Sequence, residues 1–210
     1  MKPAFLYLTV VLLFVTARAA TAETLLILGD SLSAAYGIPV ETGWVALLQQ
    51  QLATAHPGWQ IVNASISGDT TANARARMPQ AIDTHRPDIV VLELGGNDGL
   101  RGLSLEAMRD NLAAMIEMAQ AHGTAILLVG VELPPNYGPR YTEKFRAVYH
   151  SLADEYGIAL LPSLLDEVGT RRELMQADGI HPNGSAQAGI AARALEYLEP
   201  LLQQRRTSPD

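Results

Sequence analysis

The sequence predicts a three-layer α/β/α fold around a five-stranded, mostly parallel, doubly wound sheet. Three observations carry that expectation. Five short apolar runs lack the polar alternation of a half-exposed strand, as strands buried on both faces should. Segments with helical apolar spacing separate them, the order expected of strand–helix–strand units. No internal repeat, low-complexity tract or Pro/Ser-rich linker divides the 210 residues, a length that suits one domain.

The chain opens on an address. Met1-Lys2 gives a positive start, Ala4 to Val15 is almost unbroken apolar sequence, and Ala20-x-Ala22 fits a signal-peptidase site. A run of twelve residues is short for a membrane span, which needs about 20, although an uncleaved anchor is the alternative. Residues 1–22 are therefore expected to be a signal peptide, and 23–210 a single domain that is periplasmic or secreted. Removing 22 of 210 residues leaves 188, and losing Lys2 and Arg18 moves the net charge from −7 to −9.

The first strand is expected at Thr24–Leu28, and the others at Ile61–Ile66, Ile89–Leu94, Ala125–Val131 and Ile158–Leu161. Trp44, Leu47, Leu48 and Leu52 mark a helix that ends before Pro57-Gly58. Leu105, Met108, Leu112, Met115, Ile116 and Ala119 form a longer stripe, with Ser104 as N-cap, Glu106 in the first turn and Gly123 just past the end. Phe145, Val148, Tyr149 and Leu152 repeat the pattern before Gly157. Ile190, Ala194, Leu195, Leu198 and Leu201 form the last helix, followed by a frayed polar tail from about Gln203.

Composition excludes several chemistries. Hydrophobic residues make up 48% of the chain, enough for a core, and there is no cysteine for disulfides, thiol catalysis or metal–thiolate sites. Fifteen basic against 22 acidic residues argue against a nucleic-acid surface. No Gly-x-Gly-x-x-Gly, phosphate loop or His-Glu-x-x-His motif occurs, so no cofactor or metal is expected.

Doubly wound sheets place function at the carboxyl ends of their strands, and four polar motifs fall at strand ends or in loops. Gly29-Asp30-Ser31-Leu32-Ser33 follows the first strand; alone it reads more readily as a helix cap. Ser67-Gly68-Asp69-Thr70-Thr71 follows the second, where glycine lets a backbone N–H approach a ligand, or simply makes a turn. Gly95-Gly96-Asn97-Asp98 follows the third and offers an amide donor, or a glycine-rich turn. Asp178-Gly179-Ile180-His181-Pro182 precedes the last helix, and an aspartate three residues before a histidine can reach its Nδ1. His56, His85, His122 and His150 have no such setting and are assigned surface or structural roles. Together the motifs supply what acyl transfer needs: a nucleophile, a base, an orienter for that base and donors for an oxyanion.

With these four blocks in order, the chain resembles the GDSL, or SGNH, family of serine hydrolases, over about Thr24 to Pro200. Asn63–Thr70, Glu93–Gly102 and Leu133–Tyr141 resemble its periplasmic branch of thioesterases, lysophospholipases and arylesterases. The resemblance implies a flavodoxin-like sheet and a Ser31, Asp178, His181 triad. It also implies an oxyanion hole formed by the N–H groups of Ser31 and Gly68 with the Asn97 amide. The implied substrates are small-molecule acyl esters or thioesters, including arylesters, lysophospholipids and acyl-CoA. Leu100 and Leu103 are candidates for a mobile apolar rim, and Pro134, Tyr137 and Tyr141 for the opposite wall. Asp30 is expected in the turn network rather than as the triad acid. No stable membrane insertion is expected after leader removal. A monomer is the default assembly. A carbohydrate O-acetylesterase of the same family is the alternative, and a non-catalytic binding module on the same fold a further one.

Overall fold

The computed structural model describes residues 22–207; of the leader expected over residues 1–22, all but Ala22 lies outside the described residues. Five strands form one sheet: β1 (Glu23–Gly29), β2 (Trp59–Asn63), β3 (Ile89–Glu93), β4 (Ala125–Val129) and β5 (Ala159–Leu161). Their order is β2-β1-β3-β4-β5, and every neighbouring pair is parallel. The helices are α1 (Trp44–Ala55), α2 (Thr71–His85), α3 (Gly96–Leu100), α4 (Leu105–Ala121), α5 (Pro139–Tyr156), α6 (Asp166–Gly169) and α7 (Gln187–Thr207).

The chirality of parallel connections fixes the layers. The crossover from β1 to β2 runs one way along the sheet, and those from β2 to β3, β4 and β5 run the other. A right-handed crossover therefore puts α1 on one face and α2, α4 and α5 on the opposite face. Packing agrees, since α1 lies against α7, α2 against α4, and α4 against α5. The central strand β3 is buried along its whole length, with Ile89, Val90, Val91 and Leu92 in the core.

Sequence patterns hold best where burial is two-sided. Ser104 caps α4, its Oγ accepting from the Ala107 N–H at 3.2 Å, and Gly123 follows with φ +69°. At the sheet edge the pattern slips. The second strand starts at Trp59, not Ile61, and leaves the sheet at Asn63, so that Ile66 is 49% exposed. The last helix continues to Thr207 where a polar tail was expected from about Gln203. Leu202 is fully buried there, and Gln203 Nε2 donates to Glu199 Oε1 one turn back. No helix among the described residues is long and apolar enough to cross a membrane.

The winding of the sheet reverses between the parallel strands β1 and β3, and this opens a crevice at their carboxyl ends. In that register Gly29 lies opposite Glu93, so the residues following each strand emerge side by side.

Candidate active site

Ser31 is the second residue beyond β1, at the start of a turn whose Ser31 carbonyl accepts from the Tyr36 N–H. Gly29 ends the strand with ordinary extended geometry, and its role there is space: a Cβ would meet the side chains of Ser33 and Ser65 at 2.8 Å. Ser33, fully turned inward, donates its Oγ–H to Glu93 Oε2 at 2.7 Å, and the Asp30 N–H approaches the same oxygen at 3.4 Å. The turn carrying Ser31 is thus pinned to the end of β3.

His181 arrives from the far end of the sequence. The Ser31 hydroxyl donates to His181 Nε2 at 2.9 Å, and His181 Nδ1 donates to Asp178 Oδ2 at 2.7 Å. The other Asp178 oxygen accepts from the Ile180 and His181 N–H groups at 2.9 and 3.0 Å. Burial alone would raise this carboxyl, but the His181 hydrogen bond and the two N–H groups outweigh it and bring Asp178 down to about 2. It stays ionised at neutral pH, which keeps the proton of the ring on Nδ1 and leaves Nε2 as acceptor.

Asn97 stands in the first turn of α3, a short helix where the sequence suggested an open loop. Its Nδ2 donates to Asp30 Oδ2 at 3.0 Å, and its Oδ1 accepts from Arg101 at 3.4 Å. These bonds fix the direction of the amide, and one of its two N–H groups is left for a ligand. Arg101 also donates to the Gly68 carbonyl at 2.9 Å, joining the second and third loops. The Gly68 loop is braced from behind by Asp69, paired with Arg77 at 2.8 Å, and by Arg77 Nη1 on the Ala64 carbonyl. Buried Asp98 accepts from both the N–H and the hydroxyl of Thr71, at 2.9 and 2.6 Å, and so ties α3 to the start of α2.

Two carboxyls lie beneath the turn. Burial pushes Asp30 up to about 6 against the hydrogen bonds from the Leu32 N–H and the Asn97 amide. Glu93, completely buried, is pushed well above the usual range by burial and then by the charge of Asp30. Its Oε1 has no partner among the described residues. A neutral carboxylic acid there avoids burying a second charge beside the first.

Ser31, Gly68, Asn97 and His181 line one cavity of about 560 Å³, a size suited to a small organic ligand. Leu100 and Pro134 also line it, with Val131, Leu133, Leu165 and Ile180. Leu103, Tyr137 and Tyr141 are not among the lining residues. Leu103 is 45% exposed, and the two tyrosines donate their hydroxyls to the carbonyls of Leu100 and Gly99 at 2.8 and 3.3 Å. They brace the rim from behind. Among the described residues no group of three or more acids and histidines is placed to hold a metal ion.

A hydroxyl hydrogen-bonded to an imidazole, itself held by a carboxylate, can be deprotonated as its oxygen attacks a carbonyl. Comparison with known proteins gives this geometry a context. The model of the GDSL-like lipase/acylhydrolase family matches residues 27–188. The chain belongs to that family. This GDSL-like chain is 50% identical over 183 residues to Esterase TesA of Pseudomonas aeruginosa, covering 87% of itself and 91% of the relative. It is 45% identical over 195 residues to thioesterase 1/protease 1/lysophospholipase L1 of Escherichia coli K12, covering 91% and 90%. The crystal structure of TesA matches with a TM-score of 0.84 and 49% identity, over 85% of this chain and 99% of that one.

Sequence reasoning missed Glu93, Ser33, Tyr36 and Gln176. Glu93 had a signal, because a lone acid closing an otherwise apolar two-sided strand must find partners in the core.

Proposed function

We propose that this GDSL-like acylhydrolase is an exported serine esterase that cleaves carboxylic esters and thioesters of short to medium or longer acyl chains through an acyl-enzyme. The observation that carries the proposal is the unbroken chain from Ser31 Oγ to His181 to Asp178, with links of 2.9 and 2.7 Å, opening into an apolar cavity.

In the first half-reaction His181 Nε2 takes the Ser31 proton as Oγ bonds to the acyl carbon. The carbonyl π electrons move onto oxygen, and the N–H groups of Ser31 and Gly68 with the Asn97 amide receive that charge. Ionised Asp178 stabilises the imidazolium. Collapse of the tetrahedral intermediate breaks the C–O bond, and His181 returns its proton to the leaving alcohol; a thiolate leaves more readily. Water then attacks the acyl-enzyme with His181 again as base, releasing the acid and free Ser31.

The apolar lining supports acyl chains over acetylated sugars as substrates, and the curated relatives bear esterase, thioesterase and lysophospholipase names. Export rests on the leader-like first 22 residues. The test is labelling by a fluorophosphonate, with hydrolysis of p-nitrophenyl esters of increasing chain length. Ser31→Ala should abolish labelling and lower kcat by about 10⁴-fold or more. Normal hydrolysis by purified Ser31→Ala would remove Ser31 from the mechanism.

A further inference from the structure

Ser31 and His181 are 150 residues apart, and neither segment that carries them is a regular element. Something must hold the two in register to within a fraction of an ångström, since misplacement by about 1 Å can cost about 10²-fold in rate. The His181 segment is a small closed loop. Met175 and Pro182 form an isolated antiparallel bridge, the Gln176 N–H donates to the His181 carbonyl at 2.8 Å, and the Gln176 carbonyl accepts from Gly179. Asp178 and Gly179 make its tip.

The side chain of Gln176 reaches out of this loop. Its Nε2 donates to the Pro182 carbonyl at 3.1 Å and to the Tyr36 carbonyl at 2.8 Å. Apart from the His181–Ser31 contact itself, the bond to Tyr36 is the only hydrogen bond among the described residues that joins the loop to the turn of Ser31. Tyr36 is well placed to use it. Its N–H donates to the Ser31 carbonyl, and its ring packs on the His181 imidazole with centroids 4.5 Å apart and planes tilted by 40°. The adjacent Gly37 records the closeness of the approach. It has φ +75°, and a Cβ there would collide with the Gln176 amide oxygen.

We propose that Gln176 is a positioning residue that sets the register between the nucleophile turn and the acid–base loop. One amide group fixes the backbone on both sides of the reacting pair: His181 and Pro182 through its own loop, Tyr36 and hence Ser31 across the gap. The Tyr36 ring adds a wall that limits rotation of the imidazole. This role rests on Ser31 and His181 being the nucleophile and base. Gln176 itself touches no reacting atom, so its effect should fall on turnover rather than on substrate capture.

The test uses the full chain and three variants: Ser31→Ala, Gln176→Ala and Gln176→Glu. Fluorophosphonate titration counts competent serines, so that rates are expressed per active site and partial unfolding is removed from the comparison. Gln176→Ala should lower kcat per titrated serine by about 10- to 100-fold, with KM within about threefold of wild type. The loss should be equal for butyrate and octanoate esters. Gln176→Glu keeps the shape but loses the donor when ionised. Its activity relative to wild type should be lowest at pH 8 and rise as the pH falls towards 5 and the carboxyl regains a proton to donate. A kcat per titrated serine within twofold of wild type in Gln176→Ala overturns the proposal. So does a flat ratio of Gln176→Glu to wild type across that pH range. If Ser31→Ala is labelled as wild type is, the nucleophile assignment and this proposal fall together; if only the Gln176 variants behave as wild type, the assignment stands and the proposal alone falls.

Discussion

Asp30 and Glu93 sit in the core at the ends of β1 and β3, 2% and 0% exposed, whereas the side chain of Asp178 is 37% exposed on a loop tip. The same functional group is driven in opposite directions by these two settings. Burial pushes Asp30 up to about 6 and Glu93 well above its usual value, while Asp178 is brought down to about 2 by His181 and two backbone N–H groups against a raising effect of burial. The buried half of the site gains rigidity from packing but tends to neutralise its acids. The loop half keeps a charged carboxylate, which is what an imidazolium formed during turnover requires. In the proposed mechanism, an acid partner on the loop answers an electrostatic need that the sheet edge could not meet.

The largest test of this division compares two isosteric substitutions. Asp178→Asn should lower kcat by about 10³- to 10⁴-fold, because the ring loses both its tautomer control and its counter-charge. Asp30→Asn should cost only about tenfold, the loss of one charge-assisted bond to the Asn97 amide. Steady-state kinetics of the two variants at pH 8 decide the matter. A reversed order would make Asp30 the acid partner and undo the comparison.

Within the buried half, Asn97→Ala should fall between those limits, at about 10²- to 10³-fold in kcat with little change in KM. The same measurement on Asn97→Asp would sharpen it, since a carboxylate facing Asp30 Oδ2 replaces a donor by a like charge. If Asn97→Ala kept wild-type kcat, the amide would be a brace for Asp30 and Arg101 and nothing more.

The two halves also differ in how far the sequence discloses them. Asp178 and His181 are three residues apart in a loop closed by Pro182, and such short-range geometry is legible without a structure. Ser31, Gly68 and Asn97 are legible for a different reason: each follows an apolar run, and a doubly wound sheet brings those ends together. Gln176 and Tyr36 are 140 positions apart, and nothing local marks either one. The direction of Tyr137 and Tyr141 was hidden in the same way, because it depends on which carbonyls α3 presents to their hydroxyls. Helix α2 escaped notice on pattern grounds. Its buried stripe is Thr71, Ala74, Met78 and Ile82, with only two large apolar residues, and exposed Pro79 reads as a breaker. By contrast α4 presents six buried apolar positions and both caps, and its boundaries follow from the sequence.

The smallest effect on rate, and the sharpest test of the buried half, is expected from Glu93→Gln. Glutamine keeps an acceptor for Ser33 and the Asp30 N–H, and it puts an amide where Oε1 has no partner. If Glu93 is a neutral acid at working pH, kcat should stay within about threefold of wild type, since no charge is removed. Stability should report the proton directly. The folded-state value of Glu93 lies well above 4.5, so below that pH the group is protonated in both states and adds no difference. As the pH rises past 4.5 the unfolded chain releases its proton and the folded chain retains it. Wild type then loses stability by about 1.4 kcal/mol per pH unit, until the folded-state value is reached. Glutamine has no proton to release, so the melting temperature of Glu93→Gln relative to wild type should climb as the pH rises past 4.5. A difference independent of pH would mean that Glu93 is ionised in the fold at its ordinary value, and the buried half would then hold two charges where packing and burial argue for one.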